Sequence, residues 1–433
     1  MNPLARRIQG VYVTLILGNT LAASFIWGIN TLFLLDAGLS NLEAFAANAF
    51  FTAGMVIFEI PTGVVADTWG RRTSYLLGTL TLASTTALYY WMWQIHAPFW
   101  SWALVSALLG LGFTFFSGAV EAWLVDALYY ARYDGSLETV FGRGQMVSGV
   151  AMLGGSVAGG VIAQATSLGV PFLLRVGVLL AMFVVAYLLM KDLGFTPDRS
   201  ARPREAMRGI LSASVEHGLR NPPVRWIMLA APFTSGVGFY TFYALQPYLL
   251  ELYGDPGAYS IAGLAAAAVA GAQVLGGYAA PKARGLFRKR TSPLILCTVV
   301  SGAILALFGI TEVFWVALVL LVAWALISAA ETPIRQAYLN DMIPSKQRAT
   351  VLSFDSLMGG TGGVFVQPAL GRVADVYSYG ASLAIGGVVQ LLAAPFLVAS
   401  RRQNSPADTA VTVPPPLAEP MSGVEPTDPP PTA

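Results

Sequence analysis

The sequence predicts an all-α membrane protein with about twelve transmembrane helices in two pseudo-symmetric six-helix bundles. Three observations carry that expectation. Of 433 residues, 55% are hydrophobic and only 11% charged, with a mean hydropathy of +0.63, whereas a soluble domain carries about 25% charged residues. The apolar residues come in runs of about 20 or more, the length that crosses a bilayer core as a helix. The longest internal polar stretch, 192–222, divides those runs six and six.

On that length criterion the spans lie near 10–34, 42–66, 73–94, 99–130, 139–165 and 170–191, then 223–250, 257–281, 292–311, 313–341, 347–372 and 380–400. The first lacks a convincing small-residue cleavage site and carries Asn19 and Asn30, so it reads as a retained helix and not a signal peptide. The chain therefore divides into a lobe at 1–191, a linker at 192–222, a second lobe at 223–402 and a tail at 403–433. In the linker, Met207, Ile210, Leu211, Val215 and Leu219 recur at helical spacing, with Arg204, Arg208 and Glu216 among the polar positions. That pattern predicts a helix lying on the membrane surface. The tail, with Pro414, Pro415, Pro416, Pro429, Pro430 and Pro431, reads as disordered.

Charge placement orients the chain. Lysine and arginine accumulate in short cytoplasmic loops, and starting with the N-terminus inside places 22 of the 25 on the inner side. Arg175 and Arg335 fall inside spans, and Arg372 lies near an outer end. Both termini are then cytoplasmic, and Trp91, Trp93, Trp100 and Trp102 cluster around an outer loop, as interfacial aromatics do. A net charge of +2 is too small to argue for nucleic acid. One cysteine, Cys297, excludes an intramolecular disulfide framework, and with only His96 and His217 a His/Cys metal centre is poorly supplied. There is no G-x-x-x-x-G-K-[ST] loop and no convergent nucleophile constellation, so the expectation is a non-enzyme without a cofactor.

Ionisable residues in mid-span cost several kcal/mol unless paired, which makes each a functional candidate. Glu59 precedes Pro61, and eight residues separate it from Asp67, about 12 Å along a helix. Desolvation at that depth suits a proton carrier, and a structural cap or buried ion pair is the other role open to it. Glu121 and Asp126 in span four point about 140° apart on the helix and so do not share one site. Asp355 lies between Ser353 and Ser356, as a proton carrier or as a contact between lobes. Glu331 and Arg335 have the favourable i, i+4 order, as a self-neutralising pair or as cavity residues. Arg175 has no sequence-near acid and either snorkels outward or meets a partner on another helix, such as an anionic substrate group. Asn30, Tyr240, Tyr243, Gln246 and Gln273 complete the cavity candidates, since aromatic surface with scattered hydrogen-bonding groups is what small-molecule pockets use. Tyr248 reads as an interfacial tyrosine.

The segment Gly63-Val-Val-Ala-Asp67-Thr-Trp-Gly70-Arg71-Arg72 resembles the signature loop of the major facilitator superfamily, with Thr68 where a basic residue often follows the aspartate. Gly154-Gly-Ser156-Val-Ala-Gly159-Gly160 resembles the glycine-rich motif of that superfamily's antiporters, with Ser156 in place of its proline. Ser106-Ala-Leu-Leu-Gly110 stands where drug-exporting subfamilies carry a buried arginine. Ser117-Gly-Ala-Val-Glu121 and Ser328-Ala-Ala-Glu331 place a glutamate at a matching point of each half, as an internal repeat does. The resemblance implies a secondary transporter that moves a small organic molecule across a bacterial inner membrane by alternating access. Proton-coupled export is the preferred form, and a proton-coupled uptake symporter or facilitator is the alternative. Its partners are then substrate, protons and lipid, with the chain a monomer. Gly63 and Gly70 permit close approach and a tight turn, and Asp67 and Arg71 latch the lobes when the outer side is open.

Overall fold

The computed structural model describes residues 3–116, 118–195, 212, 215–343 and 348–409. Among these every long element is an α-helix. The first lobe contains α1 (Pro3–Trp27), α2 (Asn30–Asp36), α3 (Asn41–Trp69), α4 (Arg71–Gln94), α5 (Phe99–Thr114), α6 (Ala119–Tyr130), α7 (Leu137–Ala165) and α8 (Gly169–Leu189). The second contains α9 (Pro222–Tyr253), α10 (Tyr259–Gly285), α11 (Thr291–Ile310), α12 (Phe314–Met342), α13 (Arg348–Val376), α14 (Tyr379–Leu391), α15 (Ala393–Arg402) and the short α16 (Pro406–Thr409). Among the described residues nine stretches are both long and apolar enough to cross a membrane. The other three positions belong to α4, α9 and α13, with 24, 32 and 29 residues, each long enough to span. The architecture is twelve spans in two six-helix bundles.

Local chemistry sets several helix starts. Ser40 and Glu43 form a reciprocal capping box on α3, Ser136 and Ser378 accept the third N–H of α7 and α14, and Pro222 opens α9. Spans one, four and twelve, expected as continuous helices, are interrupted. Span one breaks at Gly28–Ile29, span four between Thr114 and Ala119, and span twelve at Leu392. Gly118 takes a left-handed φ of 69° at the second break, which glycine adopts without steric cost.

The two ends of the molecule pack differently. At the end that carries Pro3 and Thr409 each lobe keeps its own core. Tyr12, Tyr75, Trp123 and Met190 pack together in the first lobe, and Val224, Ile227, Tyr338 and Leu397 in the second. At the opposite end the cores cross the lobe boundary. Phe33, Trp102 and Phe172 pack with Leu250, Ala258 and Ala262, and Phe45 packs with Tyr240 and Leu370. Across that boundary α3 runs along α13 and α7 along α10. The lobes are thus sealed at one end and part toward the other.

Of the two expected connecting segments, the linker helix lies mostly outside the described residues and the tail differs. Within the linker, Val215–Leu219 forms a single π-helical turn, while Arg204, Met207, Arg208, Ile210 and Leu211 lie outside the described residues. The tail does not begin at 403 as an unstructured segment. Asp408, 1% exposed, accepts from the N–H of Thr291 at 2.8 Å and its hydroxyl at 2.9 Å, and its carbonyl accepts from the Arg290 N–H at 2.8 Å. A carboxylate capping the start of α11 orders the chain as far as Thr409. Residues 410–433 lie outside the described residues.

Candidate functional site

The cleft between the lobes is closed at one end by contacts made largely to backbone groups. The break in span one frees the carbonyl of Trp27 and the N–H of Thr31, and Gln246 of α9 serves both. Its Nε2 donates to Trp27 at 2.9 Å and its Oε1 accepts from Thr31 at 2.9 Å. Asp375, at the end of α13, accepts from the Asn41 and Leu42 N–H groups at 2.9 and 2.8 Å, so a carboxylate of one lobe faces the N-terminus of α3 in the other. Tyr379 donates to the Asn41 side chain, Gln164 accepts from the Ser260 N–H at 3.0 Å, and Gln367 donates to Thr52 at 3.3 Å. Gly28, Gly160 and Gly263 let α1, α7 and α10 touch backbone to backbone. A Cβ on Gly160 would lie 2.5 Å from the Tyr259 carbonyl, and one on Gly263 would lie 2.5 Å from that of Ser156. The glycine run of span five also meets α1, where Gly155 faces Ser24 and Gly159 faces Phe25.

The acids and bases inside the spans sort into pairs that sequence spacing does not give. Arg335 does not bond Glu331, its i−4 neighbour. Its guanidinium makes a two-pronged ion pair with Asp355 of α13, both contacts at 2.6 Å, and reaches the Ile227 carbonyl at 3.3 Å. Glu331, 9% exposed, accepts instead from the Thr298 hydroxyl of α11 at 3.1 Å, within electrostatic reach of Arg335. Glu121, its counterpart in the first lobe, is exposed in the first turn of α6 and lies near Tyr12. Glu59 is half-buried on α3, two residues before the helix-internal Pro61.

At the parted end, Asp67 and Arg71 pair with each other at 2.6 Å and Arg71 lies over Phe195. Gly70 adopts φ 103° between α3 and α4, a conformation that favours glycine. Asp192 caps α4 through the Arg72 N–H at 2.9 Å, and Arg72 donates to the Tyr187 carbonyl at 2.6 Å. Gly63 has open space around it.

The cavity candidates divide by whether protein satisfies them. Tyr240 bonds Ser382 inside the second lobe, and Tyr248, far from an interfacial residue, is 4% exposed with its hydroxyl donating to the Phe308 and Thr311 carbonyls at 3.0 and 2.8 Å. Asn30 donates to Asn48 at 3.0 Å. Gln273 is exposed on α10. Arg175 is buried, its guanidinium 5.7 Å from the Phe113 ring centre and facing Tyr89 and Tyr243. It does not snorkel. Asp375, Gln164, Gly28 and Gly263 were not singled out from sequence. The run of small residues from Ala262 to Ala272 is the signal that marks α10 as a close-packing helix.

A family model described as Major Facilitator Superfamily matches residues 12–326. No curated protein matches the chain. Among solved structures, the nucleoside transporter NupG is 11% identical, covering 92% of this chain and 99% of its own, with a TM-score of 0.73. A bacterial homolog to the human lysosomal transporter Spinster, in an inward-facing and occupied conformation, is 15% identical, covering 93% and 98%, at 0.70. A D-xylose-proton symporter is 16% identical, covering 92% and 97%, at 0.64. At these identities the likeness concerns the fold, which agrees with the twelve spans, the signature loop and the cleft. The chain is a multi-pass membrane protein that belongs to the Major Facilitator Superfamily, a superfamily of small-molecule transporters.

Proposed function

We propose that the protein is a proton-coupled exporter of a small organic molecule, working by alternating access in a bacterial inner membrane. The two bundles, residues 1–191 and 223–402, rock about the cleft, with both termini cytoplasmic. The basic residues gathered at the parted end support that orientation under the positive-inside rule, and the state described above is then open to the cytoplasm. The observation that carries proton coupling is the setting of Glu331. It is buried, it holds one hydroxyl bond, and the nearest cation on its helix is taken by Asp355. An uncompensated carboxylate inside a membrane costs several kcal/mol, and binding a proton removes that cost. Glu59 supplies a second carboxyl in the first lobe, and Glu121 a third. Asp355 would have to leave Arg335 to carry a proton. Export is supported by the antiporter-like glycine run of span five.

The test uses proteoliposomes and a substrate identified by a thermal-shift screen of metabolites and drugs. An imposed pH gradient drives accumulation in the wild type. Glu331→Gln and Glu59→Gln each abolish that accumulation while counterflow at equal pH persists. Accumulation at the wild-type rate in both variants would overturn the coupling, and vesicles of defined orientation read the direction.

A further inference from the structure

Arg175 is a cation for which the fold provides no counter-charge. It is 3% exposed, and its Nε has no hydrogen-bond partner. Among the described residues no carboxylate and no carbonyl accepts from its guanidinium. Its neighbours are the Phe113 ring at 5.7 Å and the tyrosines Tyr89 and Tyr243. A guanidinium has five N–H donors and no acceptor, and an isolated buried charge is among the costliest features a protein can hold.

The position of the group gives this a direction. Phe172, one turn earlier on α8, stacks on Phe33 at 3.8 Å, and Phe33 packs edge-on against Trp102. That aromatic plug closes the sealed end. Arg175 lies one turn below it, on the side toward which the lobes part, and Tyr243 belongs to the other lobe. Tyr89 is engaged by Ser106, whereas the Tyr243 hydroxyl bonds no described residue. Trp27, Phe242 and Tyr243 continue the aromatic wall across the lobe boundary, with centroid separations of 4.9 and 5.4 Å. One forked cation and one free hydroxyl thus lie buried among aromatic rings, one turn from the plug and at the lobe boundary.

We infer that the substrate carries a carboxylate, received there by Arg175 with Tyr243 as second donor and held against an aromatic wall. A planar carboxylate matches the guanidinium fork with two parallel bonds. A single cation with no second base facing it fits one negative charge, which favours a monocarboxylate over a phosphate dianion. This names the substrate class of the transporter proposed above and rests on that reading only for the route of the cargo.

The experiment measures binding to the purified full chain in detergent at one pH, without a gradient, so its outcome is separate from that of proton coupling. Benzoate, phenylacetate and indole-3-acetate are titrated beside their primary amides and phenyl phosphate, by calorimetry and thermal unfolding. At least one acid is expected to bind about tenfold or more tighter than its amide. Arg175→Met erases that difference and leaves the ligand-free Tm at or above the wild-type value, because it removes an uncompensated charge. Arg175→Lys keeps part of the preference, and Tyr243→Phe weakens the acid alone. The inference is overturned if none of the acids binds, if the amides or phenyl phosphate bind as well as the acids, if Arg175→Met retains the preference, or if it lowers the ligand-free Tm by several degrees, which marks a structural arginine.

Discussion

Gln246 shows how one side chain links the helix break of one lobe to the other lobe. Both ends of its amide are committed to backbone groups that the Gly28–Ile29 interruption leaves without helical partners. Gln246→Leu keeps the volume and strands both groups, and each buried polar group left unpaired costs about 1–3 kcal/mol. The expected result is a drop of about 2 kcal/mol or more in the stability of the sealed state, read by thermal unfolding in detergent. Arg335 and Asp355 are a second residue-scale test. Removing one partner of a buried pair is strongly destabilising, by about 3 kcal/mol or more, so Asp355→Asn should lower Tm and Arg335→Met in the same chain should recover most of the loss. From sequence, Glu331 and Arg335 looked like a pair because i, i+4 spacing is visible along one helix. The competing partners, Asp355 and Thr298, come from other helices, and one chain read alone does not display them.

At the scale of elements, the apolar runs made the spans legible, with order kept throughout and most ends within a few residues. The breaks were not legible. Gly28 and Gly118 sit inside apolar runs with no proline beside them, and the first break is sustained by a glutamine more than 200 residues away in sequence. The capping turn at Pro406–Thr409 was hidden for a similar reason, since the proline-rich composition of the tail outweighs four residues whose order depends on docking to Thr291. The helix pair α7 and α10 gives a direct test of what seals the cleft. Gly263→Leu places a side chain where a Cβ alone would lie 2.5 Å from the Ser156 carbonyl and 3.1 Å from Gly160 Cα. The two helices must then separate. Spin labels on either side of the sealed end should report a longer mean distance than in the wild type, with the protein still inserted, and unchanged distances would show that the glycines only pack.

On the scale of the whole molecule, the signature loop and the count of spans revealed the family, and the cleft needed the fold to be seen. The sequence singled out Arg175 and Tyr243 beside Tyr240 and Gln246, and only the assembled bundles distinguish the first two from the latter two, whose polar atoms bond within the protein. In the state described, Asp67 and Arg71 bond each other at the parted end. If the pair latches the lobes when the other side opens, Asp67→Asn shifts the population further toward the present state and slows turnover. Label distances across the parted end, matched to wild type, would refute that role. Among the described residues the ion pairs Arg71–Asp67, Arg290–Asp341 and Arg335–Asp355 each lie within one lobe, and the polar bonds at the seam go mostly to peptide groups. Mobile ions screen exposed charges and do little to buried dipoles. Salt should therefore act on the seam through the exposed Asp375 carboxylate at the N-terminus of α3, while water activity should act through the Gln246 contacts, because opening the seam means wetting the peptide groups of Trp27 and Thr31.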